Sequence, residues 1–591
     1  MENTFTGTGA NFDGKETRFK VWAPHAEKVF VAGDFNGWNE EANPLKRGDD
    51  DYWEVQVPKA APGAEYKYVI KNGDQVLWRN DPVARAMTNS AGNSIIVDDS
   101  DFDWGDDDNF QLRGWNELVI YEMHLGTYHR GDDKQTVGSF DDAIARLDHI
   151  VDLGVNVIEL MPVAEFAGDQ SWGYNPAFPF AIESDYGGVN GLKGFVKACH
   201  ERGIAVFIDV VYNHFGPSDL DLWQFDGWEE NGKGGIYFYN DWRASTPWGD
   251  TRPDYGRNEV RQYIRDNALM WLDVYHVDGL RMDMTFYMRS VDDGADIPDG
   301  WSLAQWINDE ISQHHPGAIT IAEDLRSNEW ITKTTGEGGA GFGSQWDEQF
   351  VHPIRSVLTE QDDCNRSMDV VAGAIGFSYN GDPAQRVIYT ESHDEVANGK
   401  SRVPTEVDEY DQEGYWARKR SILGACLTMT SPGIPMIFQG QEFLETGHFQ
   451  DCHEMDWASE PHEEGVRNIY RDLIRLRTNR EGKTQGLQSG CLEFIACDDE
   501  NKVICLARGE GDNQVIVAMN FSKDERHGYR IGFTQSGKWK VIFQADAKVY
   551  GGDFGDTATI EVVTEPESFH GLPQSATVNL GSYDCIILIR A

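Results

Sequence analysis

The sequence predicts a multidomain α/β plus β protein, in which a central (β/α)8 barrel lies between two all-β domains. From about residue 115, amphipathic helical patterns alternate with short, continuously apolar runs, which is typical of a parallel sheet buried on both faces. Before and after that region, short runs rich in valine and aromatic residues are separated by turn signals. We therefore predict domains at residues 1–105, 106–486 and 487–591.

Both flanking domains are predicted to be β-sandwiches. In the first, strand-like runs lie at 18–22, 29–32, 52–57 and 65–70, with turn sequences such as GDFNGWN and KNGD between them. In the last, they lie at 492–496, 503–506, 515–518, 539–543 and 577–580. The acidic stretch DDSDFDWGDDDN at 98–109 is predicted to be a solvated linker.

Helix and strand signals alternate through the predicted barrel. Ser139 and Asp142 form a capping box that begins a helix ending before Gly154. The predicted strands follow helical patterns or turn signals, and they lie at 155–161, 204–208, 275–280, 318–322, 386–389 and 434–438. A helix around 470–476 is predicted to close the barrel.

The charge balance excludes two classes of partner. The chain has 51 basic and 99 acidic residues, a net charge of −48, whereas nucleic acids and anionic membranes are bound by basic patches. There is no apolar stretch long enough to span a bilayer and no secretory signal pattern. The eight cysteines form no CxxC pair, which indicates reduced thiols. We expect a cytoplasmic protein that is a monomer by default.

Polar side chains follow the predicted barrel strands where each strand ends. Because the carboxyl ends of barrel strands meet at one rim, residues from several strands are expected to converge there. A single polar loop residue would indicate little, but four strands ending in this way predict a functional site. In chain order these residues are Asp209, Asn213 and His214, then Arg281 and Asp283, then Glu323 and Asp324, and finally His393 and Asp394.

These residue types point to glycosidic chemistry. The chain has no glycine-rich phosphate loop, nucleophile elbow or HExxH zinc motif. Cleavage of a glycosidic bond requires one carboxylate as nucleophile and one protonated carboxyl as acid, which this group of residues can provide. Arg281 precedes Asp283 by two residues on one strand face, so we expect its guanidinium to keep Asp283 ionised. Glu323 follows the apolar run AITIA, so we expect it to stay protonated and act as the acid/base. Asp394, beside His393, is expected to bind sugar hydroxyls.

Four segments resemble the signature segments of the α-amylase superfamily, glycoside hydrolase family 13. They are DVVYNH (209–214), GLRMD (279–283), AED (322–324) and SHDE (392–395). The resemblance implies a retaining enzyme with Asp283 as nucleophile, Glu323 as general acid/base and Asp394 as transition-state stabiliser. It also implies substrate contacts for Asp209, His214, Arg281, His393 and Tyr174, whose WGYNP segment resembles the one that places a tyrosine under the reacting sugar. The segments RFKVWAP, VFVAGDFNGW and WRNDPVAR resemble the family 48 carbohydrate-binding module.

Within this family the sequence leaves alternatives open. SHDEVANGK (392–400), GEGGAGFGSQWDEQFVHP (336–353) and QGQEF (439–443) resemble α-1,4-glucan branching enzymes of glycogen or storage glucan metabolism. DVVYNHFGP, YEMHLGTY and IELMPVAEF resemble maltooligosyl-trehalose trehalohydrolase. In that hydrolase the fourth segment usually has the sequence NHDQ. The SHDE of this chain therefore favours a branching enzyme. The alternatives are an α-glucan hydrolase, such as that trehalohydrolase or an amylase, and a non-catalytic glucan-binding scaffold.

The expected partner is an α-glucan: glycogen, amylose or a maltooligosaccharide. Secreted amylases often bind calcium through the asparagine of the first segment, which corresponds to Asn213. Since an intracellular relative would not need that ion, we predict no metal and no other cofactor.

Overall fold

The computed structural model describes residues 7–131, 137–459, 463–557 and 559–591. Its N-terminal part contains two antiparallel sheets, one in the order β1-β2-β5-β4 and one in the order β3-β6-β9-β8 with β7 beside β6. The strands are β1 Gly9–Phe12, β2 Thr17–Trp22, β3 Lys28–Gly33, β4 Lys46–Arg47, β5 Tyr52–Val57, β6 Glu65–Asn72, β7 Gln75–Arg79, β8 Ala86–Met87 and β9 Ser94–Ile95. Phe19 of one sheet packs on Tyr66 of the other, with ring centroids 5.1 Å apart. The four strands predicted here are confirmed.

Eight parallel strands close into the predicted barrel, in the order β10-β11-β14-β15-β16-β17-β18-β19, while β12 and β13 form a hairpin. The strands are β10 Ile120–Met123, β11 Val157–Leu160, β12 Ala164–Phe166, β13 Pro176–Ile182, β14 Ala205–Val210, β15 Gly279–Met282, β16 Ile319–Ala322, β17 Ser344–Trp346, β18 Arg386–Ile388 and β19 Ile434–Phe438. All but one of the residues in the eight barrel strands are buried, which explains why they read as continuous apolar runs. Strands β10 and β17, with four and three residues, were not predicted from the sequence.

Twelve α-helices lie in the described part of the chain. They are α1 Leu125–Tyr128, α2 Phe140–Ile144, α3 Leu147–Leu153, α4 Gly188–His200, α5 Asn258–Asp273, α6 Thr285–Arg289, α7 Pro298–His314, α8 Glu348–Thr359, α9 Met368–Gly376, α10 Val403–Val407, α11 Tyr415–Thr430 and α12 Glu464–Arg477. The predicted capping box is present, because the backbone N–H of Asp142 donates to Ser139 Oγ (3.2 Å) and that of Ser139 to Asp142 Oδ2 (2.9 Å). The single helix predicted after Ser139 is instead two helices, α2 and α3.

The strand predicted at 275–280 is displaced along the chain. The observed strand β15 begins at Gly279. His276 has a φ of 54°, a left-handed backbone conformation that ends extended structure. The correct strand therefore extends to Met282, directly before Asp283.

The acidic stretch 98–109 is anchored, so the prediction of a solvated linker is wrong for its second half. Asp107 is only 6% exposed, and its carboxylate contacts His200 Nδ1 at 2.6 Å and His276 Nδ1 at 2.7 Å. The Trp104 ring stacks on His276 with centroids 3.9 Å apart. Two histidines and an aromatic ring thus hold this stretch against the residues around α4 and β15.

The C-terminal part forms a second β-sandwich, as predicted. Its six-stranded sheet has the order β20-β21-β22-β27-β24-β25, and β23 pairs with β26. The strands are β20 Leu492–Asp498, β21 Val503–Arg508, β22 Val515–Asn520, β23 Arg526–Phe533, β24 Lys538–Gln544, β25 Glu561–Val563, β26 Gln574–Leu580 and β27 Cys585–Arg590. Ile516, Trp539 and Leu588 from the large sheet pack with Ile531 and Val578 from the pair in one core.

The chain divides into two compact units. The first comprises residues 1–112, 124–146 and 159–343, and the second comprises 113–123, 147–158 and 344–591. Strands β14 to β16 belong to the first unit, whereas β10 and β17 to β19 belong to the second. Over the described ranges, no helix is long and apolar enough to cross a membrane.

Candidate active site

Arg281 is the centre of the site in the first unit. The parallel pairing of β14 with β15 places Asp209 beside Arg281. The Nη1 atom of this fully buried arginine lies 2.6 Å from Asp209 Oδ2 and 3.0 Å from Asp283 Oδ1. Its Nη2 atom lies 2.7 Å from Glu323 Oε2. One guanidinium therefore contacts three buried carboxylates, and each contact compensates part of the desolvation of these charges.

Backbone hydrogen bonds fix Asp283 and Glu323 just beyond their strands. The Asp283 N–H donates to the Val210 carbonyl (2.9 Å), and the Glu323 N–H donates to the Met282 carbonyl (3.0 Å). Met284 has a left-handed φ of 36°, and its N–H donates to Glu323 Oε2 (3.0 Å). The two carboxylates are thus held at the carboxyl ends of β15 and β16, where the strand pattern predicts them.

Burial and Arg281 act in opposite directions on the charge of Asp283. Burial raises the pKa of Asp283 well above 3.8 and the Glu323 charge raises it further, whereas Arg281 lowers it. Arg281 thus acts in the expected direction, toward the ionised form of Asp283, but three carboxylates share it and burial acts against it. The Glu323 carboxylate, which follows an apolar run in the sequence, contacts Arg281 and accepts the Met284 N–H.

Asn213 and His214 extend the site from the end of β14. The Asn213 side-chain amide donates to Asp283 Oδ2 (2.7 Å) and to the Asp283 carbonyl (2.9 Å). The Asn213 Oδ1 atom lies 2.5 Å from His214 Nδ1, so it accepts the proton on that nitrogen. Burial lowers the pKa of His214 to about 4, which makes the imidazole neutral at pH 7.

Tyr174 lies on the loop between β12 and β13 and reaches the same cluster. Its hydroxyl donates to Asp209 Oδ2 (2.5 Å), and its ring centroid lies 5.8 Å from the guanidinium carbon of Arg281. Gly173, with a φ of 93°, supplies the left-handed turn before it, and its N–H donates to Ser171 Oγ (3.0 Å). The structure therefore brings Tyr174 together with the residues predicted on β14 and β15.

In the second unit, His393 and Asp394 follow β18. The His393 Nε2 atom lies 3.5 Å from Asp394 Oδ2, and the Asp394 side chain is 42% exposed. The Asn398 side-chain amide donates to Asp394 Oδ1 (3.3 Å). Asp394 is thus a partly solvated carboxylate with oxygens accessible to a ligand.

Glu122 on β10 is a site residue that the sequence analysis missed. Its Oε1 atom lies 2.5 Å from His393 Nδ1, and its Oε2 accepts the His393 backbone N–H (3.0 Å). Glu122 is almost fully buried. A buried acid inside the apolar strand sequence IYEM is the signal that could have found it, because such a residue needs a polar partner.

Glu395, directly after Asp394, anchors this segment to α8. Its Oε1 atom lies 3.1 Å from His352 Nε2 and 2.8 Å from Lys400 Nζ, while Oε2 lies 3.7 Å from Arg355 Nε. Burial opposes ionisation, but the hydrogen bonds from His352 and Lys400 lower the pKa of Glu395 to about 2. Glu395, one of the two residues that distinguish SHDE from NHDQ, is therefore an ionised anchor in this structure.

Three family models match the chain in an order that agrees with the fold. Carbohydrate-binding module 48 (isoamylase N-terminal domain) matches residues 8–84. The catalytic domain of α-amylase matches residues 122–246 and 221–516. The C-terminal all-β domain of α-amylase matches residues 494–591.

Relatives named as 1,4-alpha-glucan branching enzymes match almost the whole chain. The 1,4-alpha-glucan branching enzyme GlgB of Corynebacterium jeikeium is 32% identical over 602 residues, which cover 97% of this chain and 82% of that protein. The protein of the same name from Salinibacter ruber is 30% identical over 616 residues, with 99% and 96% coverage. The crystal structure of pullulanase type I from Bacillus subtilis, complexed with maltose, superposes with a TM-score of 0.76 at 20% identity, covering 99% of this chain and 85% of that chain. At that identity the likeness concerns the fold.

Proposed function

This chain belongs to the α-amylase family, and on that basis we propose that it is a 1,4-α-glucan branching enzyme acting on glycogen, amylose or maltooligosaccharides. The observation that carries the proposal is the buried Arg281 guanidinium shared by Asp209, Asp283 and Glu323. Relatives that match nearly the full chain at 30% and 32% identity are branching enzymes, which favours transfer over the trehalohydrolase alternative. A glucan-binding scaffold would not require this carboxylate arrangement.

The first step forms a covalent glycosyl-enzyme. An Asp283 oxygen attacks the anomeric carbon of an α-1,4-linked glucosyl unit, and Glu323 gives its proton to the glycosidic oxygen as the bond breaks. The part of the cleaved glucan on the reducing-end side leaves with a free 4-hydroxyl. The other part remains bound through its anomeric carbon as an ester on Asp283. This step requires a protonated Glu323 and an ionised Asp283. The contact of Asp283 with Arg281 supports its ionised form at that moment.

The second step transfers the chain. Glu323, now ionised, takes the proton of the 6-hydroxyl of an acceptor glucan, and the resulting oxygen attacks the anomeric carbon. The ester bond breaks, Asp283 is released and an α-1,6 bond forms. Two displacements retain the anomeric configuration. A hydrolase would differ only in using water in place of the 6-hydroxyl.

We propose substrate-binding roles for the remaining residues. The Tyr174 ring stacks under the reacting sugar while its hydroxyl holds Asp209. The neutral His214 imidazole hydrogen-bonds a sugar hydroxyl through Nε2, since Nδ1 is engaged by Asn213. His393 and Asp394 bind hydroxyls of the reacting sugar, and the partial exposure of Asp394 supports this role.

The domain boundaries and location remain proposals as well. The family-model matches support domains at 1–105, 106–486 and 487–591. We propose a cytoplasmic location, which the eight unpaired cysteines support, four of them exposed. Fractionation of the producing cell tests this: recovery of the protein outside the cytoplasmic fraction would contradict it.

The function is tested by following iodine colour and reducing ends together during incubation with amylose. Branching lowers the colour without a matching rise in reducing ends, and treatment with a debranching enzyme then releases short chains. A rise in reducing ends that matches the colour loss would establish hydrolysis instead. The Asp283→Asn variant is the control, because it retains the side-chain shape and loses the nucleophile.

A further inference from the structure

Trp248 stands at the tip of a tight turn in the loop between β14 and α5. The turn closes because the Thr246 N–H donates to the Gly249 carbonyl (2.8 Å), and Thr246 Oγ1 accepts the Trp248 N–H (3.2 Å). The loop then returns to Phe215, whose N–H donates to the Thr251 carbonyl (3.1 Å). These bonds hold the turn beside the polar residues that follow β14.

A short chain of side chains connects Trp248 to Asp283. The indole stacks on the His214 imidazole, with centroids 4.5 Å apart and planes at 14°. His214 Nδ1 lies 2.5 Å from Asn213 Oδ1, and the Asn213 amide donates to Asp283 Oδ2 (2.7 Å). Only two side chains thus separate the indole from the proposed nucleophile.

The indole remains exposed in spite of this packing. Trp248 is 41% exposed, although one ring face covers the buried His214. The Tyr287 ring contacts Trp248 edge to face, with centroids 5.4 Å apart at 83°. Exposure of an apolar ring to water is unfavourable. A ligand that covers the ring therefore gains binding free energy from the buried apolar surface.

The loop that carries Trp248 is rigidly braced, so the ring is preorganised. Arg252 is fully buried, and its guanidinium donates to the carbonyls of Arg243 (2.6 Å), Ser245 (2.5 Å) and Ser290 (3.1 Å). A ring held in this way gives up little conformational freedom when it binds a ligand.

We propose that Trp248 is a specificity-determining platform that stacks on a glucosyl unit next to the reacting one. The apolar face of a pyranose ring matches an exposed indole, and the position beside His214 places that unit adjacent to the reacting sugar. The glucosyl unit belongs either to the donor chain or to the acceptor chain. This inference rests on the proposed α-glucan function and deepens it.

A purely structural role for Trp248, as a cover for His214, gives a different expectation. An apolar side chain of similar bulk would then suffice, so Trp248→Leu and Trp248→Phe would behave alike. A platform requires a flat ring, so Trp248→Phe retains most of the binding and Trp248→Leu loses it. Trp242 provides the matched control, because it lies in the same loop and is 58% exposed.

The test measures maltoheptaose binding by calorimetry, with each substitution placed in the inactive Asp283→Asn protein. Trp248→Leu is expected to weaken binding about tenfold and Trp248→Phe about twofold, the range of one aromatic contact. Trp242→Leu is expected to leave the Kd unchanged. Equal Kd values for Trp248→Leu and its parent would overturn the proposal, as would equal losses for Trp248→Leu and Trp248→Phe.

Kinetics of the active enzyme then identify which glucan, the donor or the acceptor, contacts Trp248. If Trp248→Leu raises the KM for a separate acceptor and leaves donor cleavage unchanged, the platform binds the acceptor; the reverse result assigns it to the donor. Unchanged values for both would overturn the platform while branching itself persists. If instead the unsubstituted enzyme binds maltoheptaose and never branches amylose, the proposed branching function is wrong. The Kd values of the Trp248 variants would still show whether Trp248 binds a glucosyl unit.

Discussion

Glu122 Oε1 lies 2.5 Å from His393 Nδ1, and Glu122 Oε2 also accepts the backbone N–H of His393. A strand residue far away in sequence thus fixes both the ring and the backbone of a proposed substrate-binding histidine. Because the carboxylate engages Nδ1, the imidazole presents Nε2 toward Asp394. Glu122 is a positioning residue, and its effect on catalysis acts through His393.

The Glu122→Gln substitution tests this relationship. The amide keeps the shape of the side chain but loses the charge, so we expect kcat to fall roughly tenfold, the loss of one charge-assisted hydrogen bond. KM and the pH profile measured beside kcat separate loss of positioning from partial unfolding. The exposed Glu493→Gln serves as control. A kcat equal to that of the unsubstituted enzyme, with a normal melting curve, would exclude the positioning role.

Substitution of Asp283 is expected to separate activity from stability. Because burial and Glu323 raise the pKa of Asp283, its ionised form is unfavourable in the fold. We expect Asp283→Asn to lower kcat by about 10⁴-fold or more and to leave Tm unchanged or higher. Amylose assays and thermal melts check the two expectations. A large fall in Tm would mean that the carboxylate contributes to stability, contrary to the burial argument.

The anchor of the acidic stretch is expected to weaken at alkaline pH. Burial opposes the charge on His200, but hydrogen bonds to Asp107 and Asp278 raise its pKa from the usual 6.5 to about 9. A histidine pKa that is raised on folding stabilises the folded state, here by at most about 3 kcal/mol of unfolding free energy. This contribution is complete below about pH 6.5 and is lost as the pH rises through about 9. Urea unfolding of the protein and of His200→Gln, from pH 6 to 10, measures this difference. A difference that does not shrink with rising pH would contradict the assignment.

A buried ion pair in the second unit is expected to be sensitive to loss of one partner. Lys419 Nζ on α11 lies 2.8 Å from Asp546 Oδ1 after β24, and neither side chain is more than 1% exposed. Lys419→Met leaves a buried carboxylate uncompensated, so we expect a loss of about 3–5 kcal/mol of unfolding free energy. Adding Asp546→Asn is expected to recover part of it.

The matched comparison for Lys419 is the exposed pair of Lys538 and Glu561. Solvent screens that pair, so Lys538→Met is expected to change the unfolding free energy by less than about 1 kcal/mol. Denaturant unfolding of all three variants provides the measurement. Equal losses in Lys419→Met and Lys538→Met would show that burial does not control the effect.

Asp283 and Glu323 could be placed from the sequence because the end of a barrel strand depends on local order. A continuous apolar run followed by a polar residue marks the end of a barrel strand, wherever the other strands lie. Glu122 could not be placed in this way, because it lies inside an apolar run and contacts a residue 271 positions away. Trp248 could not be placed either, since its stacking on His214 depends on the path of a long loop.

The sequence by itself determined the order of the domains along this chain, a β-sandwich, a (β/α)8 barrel and a second β-sandwich, and the residue types at the ends of the barrel strands. Periodicity and strand ends are local properties, and the chain carries them before it folds. Only the tertiary structure decided how the charges are balanced. Arg281 pairs with three carboxylates because adjacent strands share a register. Burial then raises the pKa of Asp283, whereas Arg281, its nearest cation, lowers it.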